Sequence, residues 1–479
     1  MKKQGQLLGS LATVVVVLMA FQSVGQIAFQ NTFTNPDSVK SDYGYSVVQL
    51  GDESYVVAGT SVDLDNYTGQ GLLKRVDQYG NEMWSYYFSH PALSSSDLEF
   101  SSIQKTDDNN LIVTGVVNYG FSNSNYYDAF LAKFDTLGNL LWQRNYGGDY
   151  RQWTKQVKET NDNGFVFCGY NEYLGSASSI SFYLVRTDDG GDTLWTRTYP
   201  NGYQQTAEAV EQTSDDGFVL VGHSNSHAFS GVGFVIKTDS QGDTLWTKYF
   251  TELNDSYASD VTTATNGNII VSGYSQLTGC TRPFLLELDL SGHLLWYKIY
   301  DEGPCGWGYS VTKTHDDGYA VFGMDSDSTG NDAYLLKTDN QGNLQWYNSF
   351  DESEVDYGYS LRQTADNGFI MTGITGVGSQ KSVLLIKTDG NGEVSGVESL
   401  SHELVDVVVY PNPTSENITV EIPKSLNANF IKVYAINGQE LLHQSIQSEK
   451  QVSLNVLNFA AGVYYLFIDG GVTKKIVKQ

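Results

Sequence analysis

The chain has 479 residues and a formal net charge of −27, from 28 Lys and Arg against 55 Asp and Glu. That balance excludes a nucleic-acid footprint, which needs a basic surface, and it disfavours anionic partners. With 32 Tyr, 48 Gly and only 3 Cys, the composition fits an extracellular β-protein.

Residues 1–25 open with Lys2 and Lys3, run apolar from Leu11 to Phe21 and end on Ser23-Val24-Gly25. A basic start, a short apolar run and small residues make a secretory signal peptide, with Gln26 as the new N-terminus. The run is too short to span a membrane stably, and no other approaches the roughly 20 residues a helix needs. The expectation is therefore not an integral membrane protein.

Beyond it one phrase recurs: Asp, two residues, Gly, three residues, Trp. It starts at Asp77, Asp135, Asp188, Asp239, Asp289, Asp339 and Asp389, and its Trp stands at 84, 142, 195, 246, 296 and 346, with Gly396 in the seventh copy. A fixed period means stacked or radial units, none able to bury its apolar face alone. The sixth copy holds four short apolar runs, Tyr309 to Thr314, Tyr319 to Gly323, Ala333 to Thr338 and Leu344 to Phe350. Their length and their Val, Tyr, Phe, Leu and Thr content are those of strands. His315-Asp316-Asp317-Gly318 and Asp339-Asn340-Gln341-Gly342 supply hairpin turns, since Asp bonds nearby N–H groups and Gly takes positive φ. Each repeat thus reads as a four-stranded antiparallel meander, with the Trp opening the outer strand and packing between units.

Four strands in about 50 residues is the blade of a β-propeller. Phrases such as TSDDGFVLVGHS (213–224) and FVIKTDSQGDTLWTKYF (234–250) resemble the secreted bacterial seven-bladed propeller repeats, and the resemblance covers Ala28 to about Val397. The expected fold is all-β: a seven-bladed propeller over 26–397, then a linker at 398–403. The segment Phe29-Gln30-Asn31-Thr32-Phe33 precedes Tyr43-Gly44-Tyr45-Ser46 as Trp346-Tyr347-Asn348-Ser349-Phe350 precedes Tyr357-Gly358-Tyr359-Ser360. It is an orphan fourth strand, and the seventh copy lacks one. Pairing them closes the ring and removes open sheet edges.

Residues 404–479 follow a different pattern, with alternating apolar residues and the turn pairs Asn412-Pro413, Asn437-Gly438 and Gly470-Gly471. They read as a small Ig-like β-sandwich. Tyr410-Pro411-Asn412-Pro413, Gly462-Val463-Tyr464-Tyr465 and the terminal Lys474-Lys475-Ile476-Val477-Lys478 resemble the C-terminal sorting domain of Bacteroidetes type IX secretion cargo. The resemblance implies the type IX secretion machinery as a partner and a secreted or cell-surface location reached through the periplasm.

Cys168 replaces an apolar residue within a strand and is expected buried and unpaired. Cys280 and Cys305 fall in loops that a propeller brings to one face at neighbouring blades; in an oxidising compartment they either bridge or stay as two thiols. His223 and His227 flank a loop and read as solvated histidines without a third metal ligand. Asp63-Leu64-Asp65-Asn66 and Asp325-Ser326-Asp327 alternate oxygen ligands as calcium loops do, but lack the full calcium pattern and read as ordinary solvated loops; Asp389-Gly390-Asn391-Gly392-Glu393 does so too, but its Asp and Gly belong to the structural turn of all seven copies. No cofactor is expected, calcium being the one ion with any such pattern.

The chain has no nucleophile elbow, zinc-protease motif, Cys-x-x-Cys or phosphate loop. Aligning the copies on the Gly that ends each second strand (59, 115, 169, 222, 273, 323, 373) brings Tyr43, Glu99, Trp153, Thr206, Tyr257, Trp307 and Tyr357 into one register. In a propeller this register rings the mouth of the central channel, and aromatic faces with small polar groups suit sugars or protein partners. The alternative is that these rings only seal blade junctions. The leading reading is a non-enzymatic binding or adhesion module for a glycan or protein. Its rivals are a propeller enzyme acting on polysaccharide and a structural surface protein.

Overall fold

The computed structural model describes residues 26–89, 97–118, 127–148, 151–173, 179–200, 204–225, 231–253, 255–277, 279–301, 305–326, 330–394, 407–422, 430–435, 440–446, 451–468 and 472–478. The signal peptide (1–25), the linker (398–403), the Asn437-Gly438 and Gly470-Gly471 turns, His227 and Asp327 lie outside them. The chain divides between Ser395 and Gly396 into two compact units. No helix occurs among the described residues, and none is long and apolar enough to cross a membrane.

The first unit is a seven-bladed ring of four-stranded antiparallel sheets. Strands β2 (Lys40–Gln49), β3 (Tyr55–Asp63), β4 (Gly69–Val76) and β5 (Glu82–Phe88) form the first blade in sequence order. Five more sheets repeat this order within 97–146, 151–199, 205–249, 256–299 and 305–350. The seventh takes β26 (Asp356–Gln363), β27 (Phe369–Thr375) and β28 (Ser382–Thr388) from the end of the unit. Its outer strand is β1 (Phe29–Phe33), which pairs antiparallel with β28, Phe29 opposite Lys387 and Phe33 opposite Val383. The N-terminal strand therefore closes the circle.

The recurring Asp-x-x-Gly phrase works twice. Asp339 Oδ1 accepts from the N–H groups of Gln341 at 2.9 Å and Asn343 at 2.8 Å, while Gly342 takes φ 73°. The same glycine lies under the Trp of the preceding blade: a β-carbon on Gly342 would stand 2.6 Å from Trp296, and one on Gly242 2.8 Å from Trp195. Each Trp thus caps the next blade's turn, and both requirements demand glycine. Between neighbouring sheets, residues such as Val48, Phe100, Ile103, Phe130 and Phe134 form continuous buried clusters.

A second repeated device ties the hairpin between strands one and two to strand three. In six blades an Asp of that hairpin pairs with a buried Lys or Arg: Asp52–Arg75, Asp108–Lys133, Asp162–Arg186, Asp215–Lys237, Asp316–Lys337 and Asp366–Lys387. The fifth blade inverts the polarity, with Asn266 donating to Glu287 at 3.3 Å.

The second unit is a two-sheet sandwich. One sheet joins β29 (Val408–Tyr410), β30 (Asn417–Glu421) and β33 (Gln451–Asn455). The other orders β32 (Glu440–Ser445), β31 (Phe430–Ala435), β34 (Gly462–Ile468) and β35 (Val472–Lys478). Ile418, Val420, Val433, Leu454, Leu466 and Ile476 are buried together between them. The two sequence motifs meet: Val477 N donates to Asn412 Oδ1 at 2.8 Å, and Thr414 N to Val477 O at 2.8 Å. Tyr464 is buried and donates its hydroxyl to Ala460 O at 2.7 Å. Gly462 faces Lys478, and Lys474 and Lys475 face Leu466 and Tyr465 across the ladder.

Candidate functional site

The first strands of the seven blades line the central channel: β2, β6 (Asp97–Lys105), β10 (Arg151–Glu159), β14 (Gln205–Gln212), β18 (Ser256–Thr263), β22 (Cys305–Lys313) and β26. Each carries a β-bulge at the same place, between Gly44 and Ser46 in the first blade and Gly358 and Ser360 in the seventh. A bulge leaves one residue out of the ladder and re-aims its side chain. The extra residues are Tyr45, Ser101, Lys155, Glu208, Ser259, Tyr309 and Tyr359, and all seven line one cavity of about 600 Å³.

The bulge also explains the glycine that ends each second strand. It drives the carbonyl of the preceding channel residue onto that glycine, so a β-carbon on Gly59, Gly115, Gly169, Gly222, Gly273, Gly323 or Gly373 would collide with the carbonyl oxygen of Tyr43, Glu99, Trp153, Thr206, Tyr257, Trp307 or Tyr357. The register aligned on those glycines is therefore the one just above the bulge. Three of its members, Glu99, Trp153 and Tyr257, belong to the cavity wall. The others stand beside it. Tyr43 stacks on Tyr45 at 6.1 Å, Tyr357 packs on Tyr359 at 6.3 Å, Trp307 meets Tyr274 edge-on at 6.3 Å, and Thr206 Oγ1 lies 3.0 Å from His223 Nδ1.

The cavity has two unlike halves. Blades six, seven and one present Tyr309, Tyr359 and Tyr45, with centroids 5.9 Å and 5.5 Å apart. Tyr274 continues the wall 6.2 Å from Tyr309, and Tyr257 stacks on Tyr274 at 4.9 Å. Burial pushes the Tyr309 phenol up to about 12, and it pushes Tyr45, Tyr274 and Tyr359 up as well, so the arc is neutral and keeps its hydroxyl protons. Blades two to four present charge. Lys155 Nζ lies 3.0 Å from Glu208 Oε2, and His223 Nδ1 3.9 Å from Glu208 Oε1. Burial would raise the Glu208 carboxyl, but Lys155 and His223 hold it below its usual range, and Glu208 in turn raises Lys155. Burial lowers His223, and burial followed by the Asp97 charge raises Glu99. On the far side of the bulges Gln156 Nε2 donates to Asp260 Oδ1 at 3.0 Å, a link from the third blade to the fifth past the small Ala209 of the fourth. Asp260 also accepts from Ser310 Oγ at 3.1 Å and Val311 N at 2.9 Å.

His223 is thus a wall residue, 4.5 Å from the Tyr257 ring, rather than a solvated loop histidine. Cys280 and Cys305 are bonded, with Cα atoms 5.4 Å apart, joining the fifth blade to the sixth, and Cys168 is buried and free. The acidic loops spend their oxygens nearby. Asp63 Oδ1 accepts from Asp65 N at 2.9 Å, Asp389 Oδ1 from Asn391 N at 2.9 Å, and buried Asp325 from the hydroxyls of Tyr347 at 2.8 Å and Ser349 at 2.9 Å. Asp332, Asp351 and Asp356 converge elsewhere, but Asp356 already accepts from Glu352 N at 2.7 Å and Ser353 N at 3.0 Å.

Among solved structures the chain is similar to a catalytically inactive virginiamycin B lyase from Staphylococcus aureus with quinupristin. That match has 9% identity and a TM-score of 0.46, covering 75% of this chain and 99% of that one. It is similar to the polysaccharide lyase Uly1 at 9% identity and TM-score 0.47, over 72% of this chain and 90% of that one. It is also similar to the NanB sialidase from Streptococcus pneumoniae at 13% identity and TM-score 0.40, over 76% and 71%. These values carry no argument about activity. No curated protein matches the chain. Residues 408–479 match the family described as the secretion system C-terminal sorting domain. The chain therefore ends in a type IX secretion sorting domain, which directs the β-propeller it follows to the cell surface or the medium.

Proposed function

We propose that the channel is a carbohydrate-binding site and that the exported propeller is a non-enzymatic binding module for extracellular glycans. The observation that supports it is the continuous aromatic wall of Tyr45, Tyr359 and Tyr309 in a cavity of about 600 Å³. Tyrosine faces accept the apolar faces of sugar rings, and the hydroxyls of the bulge residues Ser101 and Ser259 suit sugar hydroxyls. A cavity of that size takes a few sugar units and is too small for a folded protein. Calorimetric titration of the exported protein against a panel of oligosaccharides tests the reading. One class should bind, and the Tyr309→Ala and Tyr359→Ala variants should each weaken it about fivefold or more. If no oligosaccharide binds, or if both variants bind it as the parent does, the reading fails.

A second reading is a glycan-cleaving enzyme, a glycosidase or lyase. It rests on the Lys155–Glu208–His223 contacts, which set acid–base groups of opposed tendency beside Glu99 in the same cavity. New reducing ends released from a polysaccharide, and lost in Glu208→Gln, would favour it over pure binding.

A further inference from the structure

The charges that line the cavity are not equally occupied. Lys155 is held by Glu208 at 3.0 Å. Asp260 is buried and takes hydrogen bonds from Gln156, Val261, Ser310 and Val311. Arg362 donates to the Leu361 carbonyl at 2.7 Å. Glu99 is different: its side chain is exposed to the cavity, and among the described residues it has neither a hydrogen bond nor an ion pair. Three carboxylates (Glu99, Glu208, Asp260) face two permanent cations (Lys155, Arg362), so the lining is negative overall, inside a protein whose net charge is −27. Such a field repels uronates and sulfated sugars.

Glu99 also stands next to the aromatic arc. It is on the second blade and Tyr45 on the neighbouring first, both side chains line the same cavity, and the Glu99 charge adds to burial in pushing the Tyr45 phenol up. From there Tyr45, Tyr359 and Tyr309 curve round three consecutive blades with interplanar angles of 53° at each step. A carboxylate with no hydrogen bond or ion pair, sharing one cavity with a tyrosine wall, is an environment that stabilises an ammonium group, through an ion pair on one side and ring quadrupoles on the other.

Resting on the carbohydrate reading, we propose that the channel selects an amino sugar in its protonated form, the ammonium held by Glu99 and the faces of Tyr45, Tyr359 and Tyr309. The selectivity lies in the amine: N-acetylation removes the charge, and a uronate replaces it with the wrong sign.

Calorimetry of the exported protein at a pH of about 6, below the pKa of an amine of this kind, tests the claim. Four probes are used: a glucosamine oligomer, the N-acetylglucosamine oligomer of the same length, a glucuronate-containing oligomer, and choline. The glucosamine oligomer should bind at least tenfold tighter than the acetylated one, the glucuronate oligomer should not bind, and Glu99→Gln should collapse the tenfold ratio. Because the Glu99 side chain has no hydrogen bond or ion pair to lose among the described residues, that variant should fold as the parent does. Equal binding of acetylated and free-amine oligomers overturns the amine site and leaves the carbohydrate reading standing. Binding of choline alone, lost in Glu99→Gln, supports the ammonium site and overturns the carbohydrate reading. A ratio that survives Glu99→Gln, or a failure of all four probes to bind, overturns the proposal.

Discussion

Phe29 covers Gly80 as Trp346 covers Gly392. A β-carbon on Gly80 would stand 2.9 Å from the Phe29 ring, and the neighbouring Asn31 Nδ2 donates to Gly80 O at 2.9 Å, as Asn348 Nδ2 does to Gly392 O at 2.8 Å. The first strand thus reproduces the outer strand of a blade and joins the ends of the ring. Deleting residues 26–34 strips β28 of its outer partner and uncovers the first blade's turn. Calorimetry should show a sharply lower melting temperature, with Phe29→Ala alone falling between the two. An unchanged melting temperature in the deletion would contradict the closure.

The bulge glycines predict a sharper contrast. A β-carbon on Gly222 collides with the backbone carbonyl of Thr206, which cannot move without breaking the ladder, whereas one on Gly51 meets nothing within 4 Å. Gly222→Ala should cost about 2–4 kcal/mol and Gly51→Ala close to nothing. Urea denaturation of the two variants checks both. Equal stability would mean that the bulge is not required.

The paired hairpins set the response to acid. Burial alone would raise Asp215, Asp316 and Asp366, but the neighbouring Thr hydroxyls and the ammonium groups of Lys237, Lys337 and Lys387 hold all three below the usual carboxylate range. A carboxyl depressed in the folded state contributes stability that is complete above its unfolded pKa and is lost as pH falls through the folded one. Stability should therefore hold from neutral pH down to about 4 and decline below it. In Asp215→Asn the pairing of Lys237, whose side chain is fully buried, is lost at every pH. That variant should be less stable than the parent at pH 7 and show a shallower acid decline. Urea midpoints measured from pH 7 to pH 3 decide it, and parallel curves for the two proteins would refute the linkage.

Much of this was legible because the chain repeats itself. Seven copies fix the strands, and the Asp-x-x-Gly phrase fixes a turn whose geometry the structure reproduces. The orphan strand followed from matching Phe29–Phe33 to Trp346–Phe350. The channel was legible in part, since Glu99, Trp153 and Tyr257 of the aligned register belong to its wall. Aligning the copies on the Gly that ends each second strand singled out Tyr43, Trp307 and Tyr357, whereas the bulge adds a residue and gives the deeper ring to Tyr45, Tyr309 and Tyr359. The signal was present in the glycine repeated at 59, 115, 169, 222, 273, 323 and 373, because a carbonyl pressed on the strand leaves no room for a β-carbon there. The hairpin ion pairs were hidden for another reason. Lys237 sits in an apolar run and its partner Asp215 in a turn more than twenty residues earlier, so neither position looks charged from its neighbours.

The bridge between Cys280 and Cys305 joins two blades on the channel-mouth face. Peptide mapping of the exported protein without reductant should recover one linked pair, and Cys168 should resist alkylation until the protein unfolds, since it is fully buried and burial pushes its thiol up. A crosslink spanning 25 residues is worth about 3.5 kcal/mol in the chain-entropy account. The Cys280→Ser, Cys305→Ser double variant should melt lower but keep its blades. Two alkylatable thiols at 280 and 305 in the native secreted protein would refute the bridge.

The ring closes on itself with β1 and β28, so no strand beyond Thr388 is needed to complete it. The sorting domain has its own core and its own internal tie, in which Asn412 holds Val477 and so brings the Tyr410–Pro413 motif to the terminal strand that carries Lys474 and Lys475. The two sequence motifs are therefore one structural feature, and an address read by a translocon should depend on both. Removing residues 404–479 should leave a folded propeller in the periplasm. Placing them behind a signal peptide and a fluorescent protein should carry that reporter to the surface or the medium of a host with type IX secretion. Asn412→Ala, which frees the terminal strand from the motif, should reduce the exported fraction while leaving the melting of the propeller unchanged. Fractionation followed by immunoblotting measures all three. If the truncated protein reached the surface as the parent does, residues 404–479 would not be the export signal of this chain.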